Sequence, residues 1–189
     1  TSIPSAIFED FQSGTFPPQQ WNVLNEDEDI TWEEWQAIGS DNQTTTCTRI
    51  NNYSYPNDGQ EDVLVTTPFS LSPNIEDPEL SFDVAYAYYN ATYYDGLRVE
   101  ITNCDGSYND VVYYKEYQEL ATVGGQGQVF IPSAASDWRT ETIDLTPYIG
   151  DDIIVKFINV TGYGNNLYLD NINLFPNQLP VAAFTASTT

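Results

Sequence analysis

Apolar and polar residues alternate in short runs along this chain. The clearest run is 97–103, where Leu97, Val99 and Ile101 share one parity and Arg98, Glu100 and Thr102 the other. Successive side chains of a strand point to opposite faces, so this run predicts an antiparallel strand with one wet face. β-Branched and aromatic runs recur roughly every dozen residues, and helical periodicity is hard to find anywhere. The pattern predicts strands over 6–11, 31–38, 46–51, 62–66, 79–89, 97–103, 111–115, 128–131, 139–145, 153–160 and 166–175. Between them fall Pro17-Pro18, Asn57-Asp58-Gly59, Asp105-Gly106, Gly124-Gly125 and the stretch from Gly162 to Asn166, residues suited to turns and positive φ. About eleven short strands joined this way predict an all-β fold, an antiparallel two-sheet β-sandwich or jelly roll.

The chain has 189 residues, a length that one domain commonly occupies. We read 1–176 as that domain. After the linker Pro176-Asn177-Gln178-Leu179-Pro180, Val181 to Ala186 starts an apolar strand with nothing after it to pair with. Residues 177–189 are therefore expected to hold a linker and the first strand of a following module. With no initiator Met, the sequence reads as a fragment of a longer protein.

Charge narrows the function. Twenty-eight Asp and Glu stand against five Lys and Arg, a net charge of -23, which disfavours nucleic acid and anionic membranes as partners. No run is long and apolar enough to span a bilayer. The chain has no His, which removes imidazole as general base and as zinc or copper ligand. An aromatic content of 14% supplies the apolar surface that disordered acidic chains lack.

Some acids fall at apolar positions. Asp170 has the parity of Tyr168, Ile172 and Leu174, and Glu9 that of Ile7 and Phe11. A carboxylate facing a core needs a proton, a basic partner or a metal, and with five basic residues a hard cation is the better candidate. Asp62, at the start of a strand, and Asp95, in the Tyr94-Asp95-Gly96 turn, are further oxygen donors of the kind calcium takes. The alternative is that these acids face solvent at sheet ends. The run Glu26-Asp27-Glu28-Asp29 is read as a solvated loop.

Cys47 and Cys104 fit no metal motif and are either a disulfide or two separate thiols. Tyrosines crowd the stretch from Tyr86 to Tyr94, too densely for one strand to bury them all. Tyr89, Tyr93 and Tyr94 are thus candidates for stacking on a ligand. Trp32 and Trp35 have opposite parity, which makes Trp35 a further candidate.

Several strings occur in order: Phe8-Glu9-Asp10-Phe11, Pro17 to Trp21, Ile50 to Tyr55, Asp62 to Pro68, Leu80 to Ala87, Asp95 to Ile101, Asn103-Cys104-Asp105-Gly106, Trp138, Ile143-Asp144-Leu145 and Gly164 to Ile172. Together they resemble the jelly-roll modules, related to cleaved-adhesin and MAM-like domains, of large secreted proteins of Bacteroidetes-type bacteria. The stretch Pro180 to Ser187 is similar to the opening of a PKD-type repeat. The resemblance implies a calcium-stabilised β-sandwich of the galactose-binding or MAM-like kind, without an active site. It also implies that the chain is carried beside a peptidase, glycosidase or adhesive stalk and exported. It implies further that Glu9 and Asp170 meet at the metal, with Asp62 the next candidate. Where the family more often has Asp-Cys-Gly, Asp105 intervenes between Cys104 and Gly106.

Two functions are therefore expected. One is a secreted, non-catalytic module binding a glycan or another surface polymer. The other is a structural or interaction domain accessory to a neighbouring peptidase. A glycosidase needs only two carboxylates, but with 28 acids some pair always exists, so that signal has almost no specificity.

Overall fold

The structure, a computed structural model, describes residues 3–56 and 58–176. The 177–189 segment lies outside the described residues. Among the described residues twelve strands form two antiparallel sheets: β1 (Ile7–Glu9), β2 (Asn22–Asn25), β3 (Glu33–Ile38), β4 (Thr44–Ile50), β5 (Glu61–Val65), β6 (Phe69–Ser70), β7 (Pro78–Tyr86), β8 (Gly96–Asn103), β9 (Asn109–Glu116), β10 (Arg139–Asp144), β11 (Asp152–Val160) and β12 (Leu167–Pro176). The first sheet runs β10-β7-β12-β4-β3, with β1 also paired to β12. The second runs β2-β5-β11-β8-β9, with β6 also paired to β11. The fold is the expected two-sheet sandwich.

The core between the sheets follows from alternation. Leu97, Val99 and Ile101 of β8 point inward as predicted and join Leu64, Val155 and Phe157 against Leu80, Phe82, Val84, Leu167 and Leu169 of the first sheet. Phe82 meets Phe157 edge to face across the gap, ring centroids 5.2 Å apart. The opposite parity of β8 carries charge: Arg98 pairs with Glu61 at 2.6 Å and Glu100 at 2.7 Å, and Asn109 donates to Glu100 at 2.7 Å. That outer face is the wet one.

The outer face of the first sheet is covered over its centre and wet only toward its edge strands β10 and β3. Ala37, Cys47, Ala85, Ala87 and Tyr168 on its outer side are buried under Phe130 and Trp138, from the segment between β9 and β10. This explains why 128–131 is not a strand. Its backbone groups bond to side chains: Asn165 Nδ2 donates to the Gln126 and Gln128 carbonyls, Asn165 Oδ1 accepts the Phe130 N–H, and the Tyr168 hydroxyl donates to the Phe130 carbonyl. With both faces covered at its centre, this sheet is buried at every position from Phe82 to Tyr86 on β7 and from Leu167 to Asp170 on β12, rather than at alternate ones.

A break in β12 positions its carboxylate. Leu167 to Leu169 pair with β4, whereas Ile172 to Leu174 pair with β1, and the register against β7 shifts between Asp170 and Asn173. Asn171, at φ 49°, is the irregular residue. The bulge reverses parity. Asp170 follows Tyr168 to the outer face, while Ile172 and Leu174 return to the inner core, so the shared parity read from the sequence does not hold across it.

Candidate functional site

Three places gather some of the predicted site residues, and among the described residues no group of three or more His, Cys, Asp or Glu is arranged to hold a metal. The first place is a cleft of about 310 Å³ beside the β12 break. Asp170 is 2% exposed there; Asn171 N–H donates to Oδ1 at 2.8 Å and the Thr45 hydroxyl to Oδ2 at 3.1 Å. Burial, with the Asp83 and Asp10 charges added, pushes its pKa up to about 7. Asp10 and Asp41 line the same cleft, whereas Glu9 does not. Glu9 turns instead to the Phe11 N–H at 2.6 Å, because β1 ends there and Phe11 takes φ 56°. The acid that the first strand brings toward Asp170 is thus Asp10.

The second place surrounds Asp62, opposite Asn25 in the β2–β5 ladder. Asp62 is completely buried and neither carboxylate oxygen has a hydrogen-bond partner; Asn25 Oδ1 and Thr31 Oγ1 are likewise buried and unpartnered. The Thr31 and Tyr55 hydroxyls lie near enough to lower the Asp62 pKa somewhat, yet burial prevails and raises it to about 6. Tyr55 gives its proton elsewhere, to Asp27 Oδ2 at 2.8 Å. The acidic loop after β2 is exposed, as expected of a solvated run, and is shaped by its own bonds: Asn25 Nδ2 donates to the Asp29 carbonyl and the Asp29 N–H to Asp27 Oδ1. Orphaned buried oxygens are uncommon in native structures, because each costs free energy. Here several gather around one carboxylate, and an all-oxygen set of charged and neutral donors is what calcium prefers.

The third place is lined by tyrosines. A cleft of about 190 Å³ has Tyr53, Tyr89, Tyr93, Tyr163 and Gly164 as its walls. Tyr53 comes from the turn after β4, Tyr89 and Tyr93 from the β7–β8 loop and Tyr163 from the β11–β12 loop. Asn90 Oδ1 accepts the Thr92 and Tyr93 N–H groups and sets Tyr93; Asn166 Oδ1 accepts the Tyr53 N–H at 3.4 Å. Asp95 fastens the remaining wall. Its Oδ1 accepts the Gly162 and Gly164 N–H groups at 2.9 and 3.1 Å, and Oδ2 accepts the Asn165 N–H at 2.8 Å and the Tyr86 hydroxyl at 3.1 Å. The approach is so close that a Cβ on Gly164 would lie 2.3 Å from Asp95 Oδ2.

Tyr89 and Tyr93 therefore take part in one cleft, while the other two aromatic candidates do not. Tyr94 packs on Tyr117 at 5.0 Å and lines a neighbouring hollow. Trp35 lies on the first sheet beneath the Arg49 guanidinium, 3.4 Å from the ring centroid. Tyr53 and Tyr163 were missed because single tyrosines in distant turns carry no pattern, and Asn25 and Thr31 because neutral oxygens do not stand out beside acids.

The cysteines are separate thiols: Cys47 is buried on β4 and Cys104, beyond β8 in the other sheet, is exposed. Thiol titration of the native protein should label Cys104 alone, slowly, because slight burial and then the Asp152 and Asp105 charges raise its pKa. Cys47 should react only after denaturation, and a count of no thiols in denaturant would mean a disulfide.

No protein-family model matches the sequence, and no curated protein matches it. Solved structures do. The K1 cleaved adhesin domain of Lys-gingipain from Porphyromonas gingivalis superimposes with TM-score 0.61 at 17% identity, over 92% of this chain and 99% of that one. The K3 cleaved adhesin domain of the same protein gives 0.59 at 16%, over 89% and 97%. The carbohydrate-binding and GH10 modules of Clostridium thermocellum endo-1,4-β-D-xylanase 10B, solved with xylohexaose, give 0.56 at 12%, over 94% of this chain and 29% of that one. At such identities the likeness is one of fold, and the fold is that of the cleaved adhesin domains.

Proposed function

We propose that this chain is a non-catalytic, calcium-stabilised binding module of a secreted protein, acting outside the cell or at its surface on a glycan or another surface polymer. The observation that carries the reading is the tyrosine cleft, which presents four aromatic rings on loops held by a rigid sandwich. Concave sites lined by aromatic side chains on a preformed scaffold are where small groups bind. Tyr93 and Tyr163 are 44% and 45% exposed, an aromatic surface that the fold itself does not require. The likeness of fold to adhesin and carbohydrate-binding modules supports the same reading. Among the described residues no helix is long and apolar enough to cross a membrane.

Calcium would be held by Asp62 with the neutral oxygens of Asn25 and Thr31, and Asp170 with Asp10 offers a second place. The ion would tie the loop after β2 to β5 and neutralise a carboxylate that the fold otherwise leaves bare. Asp95 is not needed for this, since four donors already occupy its oxygens.

Retention on a panel of immobilised polysaccharides tests the module, and Tyr93→Ala should reduce retention about tenfold, since a stacked aromatic ring contributes about 1 kcal/mol or more. No retention of the native protein on any member of the panel would count against the glycan. One observation favours the second reading, a domain accessory to a secreted peptidase that binds protein rather than carbohydrate. Phe8, 69% exposed, stacks on Phe175 at 5.9 Å where β12 leaves the sandwich, an apolar spot suited to a neighbouring domain. Co-elution with that domain on size exclusion, lost in Phe8→Ser, is the expected result if it holds.

A further inference from the structure

The tyrosine cleft is an enclosure rather than a platform. Tyr53 meets Tyr89 at 60° with centroids 6.1 Å apart, Tyr89 meets Tyr93 at 67° and 6.3 Å, and Tyr93 meets Tyr163 at 75° and 5.7 Å. Rings so steeply inclined cannot lie together under a flat polymer surface, but they can surround a compact group. The remaining wall is Gly164, which contributes no side chain.

Charge decides what that group is. All five basic side chains are engaged away from the cleft: Arg49 with Glu33, Arg98 with Glu61 and Glu100, Lys115 and Arg139 with Glu141, and Lys156 with Asn109. No positively charged side chain lines the cleft, and the whole chain carries a net charge of -23. Such a field concentrates cations at the surface. A cation inside an aromatic enclosure is further held by the negative faces of the rings, most strongly when it leaves little hydration behind. An ordinary ammonium keeps its water and asks for acceptors. An alkylated one has no N–H to satisfy, fills the space with methyl groups and needs only the rings.

We propose that the cleft formed by Tyr53, Tyr89, Tyr93 and Tyr163 binds a quaternary ammonium group, of the kind choline carries. The inference rests on the binding-module reading and names the substituent through which a surface polymer is recognised. At about 190 Å³ the cleft has room for one such head group and not for an extended chain.

The test is isothermal titration of the whole chain, at constant ionic strength, with choline chloride and with 3,3-dimethylbutan-1-ol, which has the same shape without the charge. Choline should bind, and the neutral alcohol should bind about tenfold more weakly or worse. Tyr93→Leu should weaken choline binding about tenfold while leaving the melting temperature nearly unchanged, as expected for a side chain 44% exposed. Should that variant fold poorly, Tyr163→Leu serves, being 45% exposed. Equal binding of choline and the alcohol would overturn the proposal, since shape alone would explain it. No choline binding with polysaccharide retention intact would overturn the ammonium and leave the glycan reading standing. Failure of both would remove both.

Discussion

Removing calcium with a chelator should lower the melting temperature of the native protein by about 8–16 °C. A ligand that binds only the folded state stabilises it by RT ln(1 + [L]/Kd), about 4 kcal/mol at a thousandfold excess over Kd, and 1 kcal/mol shifts a domain of this size by about 2–4 °C. The sharper form of the experiment uses Asp62→Asn, because the two conditions should give opposite signs. With calcium present the variant should melt lower, having lost the charged ligand. In chelator it should match or exceed the native protein, because the native fold must then bury a carboxylate with no donor while the amide is neutral. Asp170→Asn run in parallel separates the two candidate places. Its carboxylate already has the Asn171 N–H and the Thr45 hydroxyl, so its loss in chelator should be neutral to unfavourable. A melting temperature indifferent to chelation would sink the calcium reading altogether.

The same residues show how far the sequence could be read. Alternation in β8 was legible because one of its faces is wet, so its polar residues mark that face. β12 was legible as a strand but not in its orientation: both faces are covered and Asn171 introduces a bulge, so parity counted across it assigned Asp170 to the same side as Ile172. Glu9 was nominated by its own phase with Ile7 and Phe11 and paired with Asp170 by the family resemblance, but the turn at Phe11 brings Asp10 forward instead. β2 and β6 were missed because they are short edge pieces, 4 and 2 residues long, whose pairing is dictated by β5 and β11. The 128–131 segment has strand composition but meets Asn165, Asn166 and Tyr168 before it meets another strand. Tertiary partners overrode local preference there. Tyr89 and Tyr93 could be nominated from crowding alone. Their partners Tyr53 and Tyr163 could not, because only the fold brings those three loops together.

Asp95→Ala should cost about 3–5 kcal/mol, since four donors buried in the fold lose a charged acceptor at once. The corresponding drop in melting temperature, about 6–20 °C, should be the same in calcium and in chelator. That equality is what separates Asp95 from Asp62. Asp95→Asn should recover only part of the loss, because the amide keeps one acceptor oxygen but turns a donor toward N–H groups that need an acceptor. The consequence for the ligand follows from the same bonds. Asp95 holds Gly162, Gly164 and Asn165, and between them stands Tyr163, so loosening the loop removes one wall of the cleft without touching an aromatic ring. Ligand retention of Asp95→Asn, measured well below its melting temperature, should therefore fall alongside that of Tyr163→Leu. If Asp95→Asn melts low yet binds as the native protein does, the loop is not what shapes the site, and the cleft must be held by Tyr53, Tyr89 and Tyr93 alone.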